Sequence, residues 1–149
     1  MHGFICTISL DEEILPVNFE WKVPFDFQGK MIKREIRGKN YQIEQYTSEK
    51  FIDEKLWIDN DTFLFVVEGL IVNIDQLIID FSAKNTAELI QKLYNTEKRF
   101  FKHFEGNFSG LFYHKKDKIW YTFNNQSGTK RVFYFSNSKR IVVGNDLFT

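Results

Sequence analysis

The chain has 149 residues, 43% hydrophobic and 27% charged, the balance of an ordinary folded domain rather than a disordered one. Twenty basic and twenty acidic residues cancel, which argues against a duplex-binding protein and leaves nucleic acid outside the expected partners. The single cysteine, Cys6, excludes an internal disulfide and a Cys-rich zinc site.

The first ten residues read as a strand, with Phe4, Cys6, Ile8 and Leu10 on one face and Ile5 on the other, so both sides are expected to be covered. Cys6 inside this apolar strand reads as a buried structural thiol. The N-terminus lacks a basic, apolar, small-residue leader, and no apolar run approaches the ~18 residues of a membrane span, so no membrane partner is expected and the default location is cytoplasmic. After Asp11-Glu12-Glu13 breaks the strand, residues 16–29 read as irregular, punctuated by Pro24 and Gly29. Short β-like runs follow at 31–36, 41–46 and 50–58. The turn signal Asp59-Asn60-Asp61 then leads into an apolar strand at 62–67, which ends at Glu68-Gly69.

Helix comes next. Residues 73–79 can form about two turns. Asn85-Thr86-Ala87-Glu88 has the form of a cap with an acidic reply three residues later. Leu89, Leu93, Phe100 and Phe104 recur on one face behind it, predicting a single amphipathic helix to about Phe104. The last third alternates strand and turn: 107–113 and 119–123 flank Lys115-Lys116-Asp117-Lys118, and 132–135 and 141–143 flank Ser136-Asn137-Ser138-Lys139. Aromatics interleaved with lysines around Tyr113–Tyr121 read as such a hairpin rather than a stacking surface for single strands, given the charge balance. Strands, then helices, then strands imply one α+β domain over residues 1–149, built as a sheet-on-sheet sandwich covered by helices.

No catalytic constellation is evident from the residue types alone. His2, His103 and His114 lack metal-ligand spacing, no glycine-rich phosphate cradle occurs, and no metal or cofactor is expected. His103 reads as a helix-end residue and His114 as the border of a hairpin turn.

Met1-His2-Gly3-Phe4-Ile5 resembles the start of class II glutamine amidotransferase domains, the N-terminal nucleophile fold of asparagine synthetases. Phe104 to Tyr113 resembles their "L-x-G-x-F-A-F-x-x-Y" hairpin, and Asn124 to Tyr134 their "R-D-x-x-G-x-K-P-L-Y-Y" turn. Val143-Gly144-Asn145-Asp146-Leu147 stands where the family has "A-S-E", and Ile36-Arg37-Gly38-Lys39-Asn40 is similar to "H-R-G-P-D". The resemblance implies an αββα sandwich of two antiparallel sheets.

It also implies a degenerate site. The family nucleophile is a cysteine after the initiator Met, activated by its own α-amine. His2 occupies that position, and an imidazole forms no thioester. A residue as large as histidine is expected to leave Met1 in place, and Cys6 lies too far along its strand to substitute. The arginine that clamps the substrate carboxylate is replaced by Lys55, which keeps the charge without the bidentate fork. "N-G-E-I-Y-N", which supplies an oxyanion-hole Asn and Gly, reads Glu68-Gly69-Leu70-Ile71-Val72-Asn73, so Glu68 puts a carboxylate where negative charge must develop. The aspartate that holds the substrate amine is replaced by Thr86, which is also the ordinary first residue after an Asn85 cap.

The expectation is therefore a catalytically inactive amidotransferase-like domain, a scaffolding or partner subunit of an asparagine synthetase-like ATP-dependent amide-forming enzyme. The ATP-using synthetase domain is expected to lie outside this chain. Two alternatives stand beside it: an active amide-transfer or hydrolytic domain using His2, and a small-molecule sensor reusing the old glutamine pocket. Glu68 and Lys55 are expected to pair within that pocket, because an unpaired buried charge is costly. The 17 phenylalanines fit either a core or an exposed docking patch.

Overall fold

Strand β1 (Gly3–Ser9) is buried at all seven positions and runs between two antiparallel neighbours, as its apolar residues on both faces demand. The computed structural model describes residues 3–10, 30–49, 56–125 and 131–145. The irregular stretch 16–29 and all but the end of the expected strand 50–58 lie outside the described residues. The chain divides into two compact units, one holding the two ends of the chain and the other its middle.

The first unit is a five-stranded antiparallel sheet built on β1, β2 (Met31–Arg37), β3 (Tyr41–Ser48), β8 (Phe133–Ser136) and β9 (Arg140–Gly144). Its order is β2-β3-β1-β9-β8. The first and last strands of the chain therefore meet at its centre, with Cys6 opposite Ile43 on one side and Val143 on the other.

The second unit carries a four-stranded antiparallel sheet, ordered β4 (Trp57–Asp59), β5 (Phe63–Ile71), β6 (Gly106–His114) and β7 (Ile119–Asn124). Phe63, Phe65, Val67 and Ile71 fall on one face of β5 by strand alternation. They pack with Leu77 of α1 (Ile74–Asp80) and with Leu89, Ile90, Leu93 and Tyr94 of α2 (Thr86–Thr96). Rings from Phe100, Phe104, Phe108, Phe112 and Phe123 complete this core. Phe100 meets Phe112 edge-on at 5.2 Å and Phe101 stacks on Phe123 at 4.3 Å, the offset and perpendicular geometries that aromatic quadrupoles favour.

The helix after Asn85 is shorter than its periodicity predicts. The cap is as expected, with the Glu88 amide donating to Asn85 Oδ1 at 2.9 Å. The helix stops at Thr96, and Glu97 is extended at φ −153° and ψ 123°. The chain then makes a 3₁₀ turn, Phe100–His103, which returns Phe100 and Phe104 to the same core. The apolar face continues; the α-helix does not. The whole is an α+β chain with two antiparallel sheets, the elements that a helix-covered sandwich requires. Among the described residues no helix is long and apolar enough to cross a membrane.

Candidate functional site

Glu68 and Gly69 lie near the end of β5, opposite Ser109 and Phe108 of β6. Alternation puts Leu64, Val66 and Glu68 on the face away from α2, and all three are buried, Glu68 to 1% exposure. Gly69 has φ +97°, where side chains are strained, and a Cβ there would meet the Asn107 carbonyl oxygen at 2.2 Å. Gly106 repeats the arrangement across the ladder, with φ +134° and a Cβ 2.2 Å from the Leu70 carbonyl oxygen. The two strands thus approach each other in a backbone geometry that only glycine supplies.

Two asparagines hold this strand end. Asn73 caps nothing through its side chain within α1. Its Nδ2 donates to the His103 carbonyl at 2.7 Å, and its Oδ1 accepts from the Glu105 amide at 2.9 Å. It therefore fastens the chain leaving β5 to the chain entering β6. Asn125 brackets Phe108 in the same way: its backbone amide donates to the Phe108 carbonyl at 3.0 Å, and its Oδ1 accepts from the Phe108 amide at 3.3 Å. Both belong to segments that carry the resemblance, yet sequence reasoning gave neither a role, since these bonds link distant residues.

In the first unit the start of β1 is fixed by Asn145, whose Oδ1 accepts from the Phe4 amide at 2.8 Å and whose amide donates to the Phe4 carbonyl at 3.3 Å. Cys6 is fully buried, and burial pushes its thiol far above the ordinary range, so it supplies no thiolate. His2 and Lys55 lie outside the described residues, and so does the expected Glu68–Lys55 pair. Thr86 is the first residue of α2, the helix whose apolar residues pack on the face of β5 opposite to Glu68.

A polar cluster sits at the far end of the same sheet. The Tyr94 hydroxyl donates to Asp117 Oδ2 at 2.6 Å, the His114 ring stacks on Tyr94 at 4.4 Å, and Lys98 Nζ lies over the Tyr94 ring at 3.8 Å. The hydrogen bond from Tyr94, aided by the charge of Lys98, holds the Asp117 carboxyl below its ordinary value. His114 Nδ1 accepts the Asp117 backbone amide at 3.2 Å, so this histidine closes the β6–β7 turn. His103 lies 3.6 Å from Glu97 at the end of the 3₁₀ turn. Among the described residues no three His, Cys, Asp or Glu side chains gather as metal ligands.

The fold and this strand end define an α+β domain whose candidate site pairs a glycine-only backbone with a buried carboxylate. Residues 53–147 match the family described as Glutamine amidotransferase domain, and the chain belongs to that family. The match includes Lys55, Glu68, Gly69 and Thr86; His2 precedes it. No curated protein matches the chain.

Proposed function

We propose that this amidotransferase domain has no glutaminase activity and serves, in the cytoplasm, as a scaffolding or partner subunit of an asparagine synthetase-like enzyme that forms amides with ATP. The observation that carries this reading is the contrast between Gly69 and Glu68. Gly69, which the resemblance assigns to an oxyanion hole, has a positive-φ backbone, while its neighbour is a buried glutamate. A glutamate in place of the asparagine removes the amide donor that would meet a developing oxyanion, so the residue does not serve the chemistry its position would require. His2 at the nucleophile position, Lys55 in place of the carboxylate clamp and Thr86 in place of the amine-binding aspartate support the same reading.

The test is ammonia release from glutamine by the purified protein and by His2→Cys. Neither should exceed a heat-killed control, because Lys55, Glu68 and Thr86 remain unsuited in the variant. Calorimetry at millimolar glutamine or asparagine should show no binding. Turnover in either form would overturn the proposal. For the partner, affinity purification from the native cell should recover an ATP-using synthetase-like protein.

A further inference from the structure

At the end of the sheet opposite to Gly69, a cleft of about 500 Å³ opens between the turn before β5, the second half of α2 and the β6–β7 turn. All its walls belong to the second unit. Its volume falls within the about 300–1,000 Å³ of small-molecule sites. The back wall is fixed by Tyr94, which is 1% exposed and stacks on His114. Asp117 meets Tyr94 and Lys98 through Oδ2, at 2.6 and 3.6 Å, and its Oδ1 is left as an acceptor without a partner among the described residues. His114 Nδ1 accepts the Asp117 amide, so the neutral ring carries its proton on Nε2, and that N–H has no partner among the described residues. Asn95 Oδ1 accepts from Gln91 at 2.9 Å, which leaves the Asn95 amide nitrogen in the same condition. The cleft is thus lined by polar groups that are held in place on one side and unused on the other.

Charge selects the ligand class. Asp61 and Asp117 line the cleft together with Lys98 and Lys116, so its charges cancel. An anion meets the two carboxylates and a cation the two ammonium groups, and neither gains from the cleft as a whole. An apolar molecule would strip water from four charges and replace none of its hydrogen bonds. A neutral molecule whose hydroxyls both donate and accept suits every wall. We infer that this cleft binds a neutral sugar of a single ring. Its hydroxyls accept from His114 Nε2 and Asn95 Nδ2 and donate to Asp117 Oδ1 and Asp61. Because the imidazole and the Asn95 amide are already oriented by Asp117 and Gln91, little ordering is needed on binding. The inference stands whether or not the domain has glutaminase activity.

The experiment titrates the whole isotope-labelled chain with glucose, galactose, mannose and N-acetylglucosamine to tens of millimolar and follows the backbone amide signals by NMR. At least one of the four should shift the Asn95 and Asp117 amides saturably. The uronate and the amino sugar with the same ring should bind about tenfold more weakly, since each brings a charge that the paired charges of the cleft do not neutralise. Asp61→Ala combined with Asn95→Ala, both at exposed positions, should weaken the neutral sugar about tenfold. No saturable shift with any of the four, equal binding of the charged derivatives, or unchanged binding by the double variant would overturn the inference. Saturable shifts of the same amides with glycine and with none of the sugars would also overturn it and make a zwitterion the occupant.

Discussion

Gly69 and Asn73 are four residues apart and fix the end of β5 by different means, one by having no side chain and the other through both ends of its amide. Adding a methyl at Gly69 forces a Cβ against the Asn107 carbonyl at 2.2 Å from a backbone at φ +97°. Backbone atoms cannot swing aside as a side-chain tip can, so Gly69→Ala should lose roughly 3 kcal/mol in urea unfolding. Asn73→Ala removes two hydrogen bonds and leaves a carbonyl and an amide near the end of the sheet to find water. A loss of about 2 kcal/mol is expected, at about 1 kcal/mol per bond. Gly69 was legible as punctuation after the apolar run and as the glycine of the resemblance, although the strand runs on through it to Ile71. Asn73 was not, since its partners lie 30 and 32 residues away and no local pattern signals them.

At the scale of elements, the strands and the Asn85 cap could be read directly because alternation and capping are short-range signals. The helix after Asn85 shows where that reading fails. Periodicity reports which side chains face the core, and Phe100 and Phe104 do face it, but through a 3₁₀ turn beyond an extended Glu97. Tyr94, in the helix's last turns, is tied to the β6–β7 turn by its bond to Asp117. Because Asp117 titrates below the ordinary carboxylate range, its contribution to stability is present above that range and is lost as the pH falls through the lower folded value. Tyr94→Phe removes the largest cause of that shift. The variant should be less stable than the parent near neutral pH, and the gap in urea midpoint should narrow as the pH is lowered through and below the ordinary carboxylate range. A gap that stays constant with pH would assign the loss to packing instead.

For the whole molecule, the order of strands and helices along the chain was readable, whereas the way the last strands return to flank the first was not. That closure joins Phe4 to Asn145, 141 residues apart, and no periodicity carries information over such a distance. It also places the only thiol of the chain on the strand held by both neighbours. Cys6 is thereby a built-in clock for the opening of this sheet. Reaction with iodoacetamide needs both access and a thiolate, and the closed sheet denies both. The labelling rate in native buffer should therefore report how often β1 parts from β3 or β9. If the two ends of the chain separate only in global unfolding, the rate should rise with urea as steeply as the unfolding equilibrium does. A shallower dependence would mean that the terminal strands detach while the middle of the chain stays folded, giving one protein two separable lifetimes.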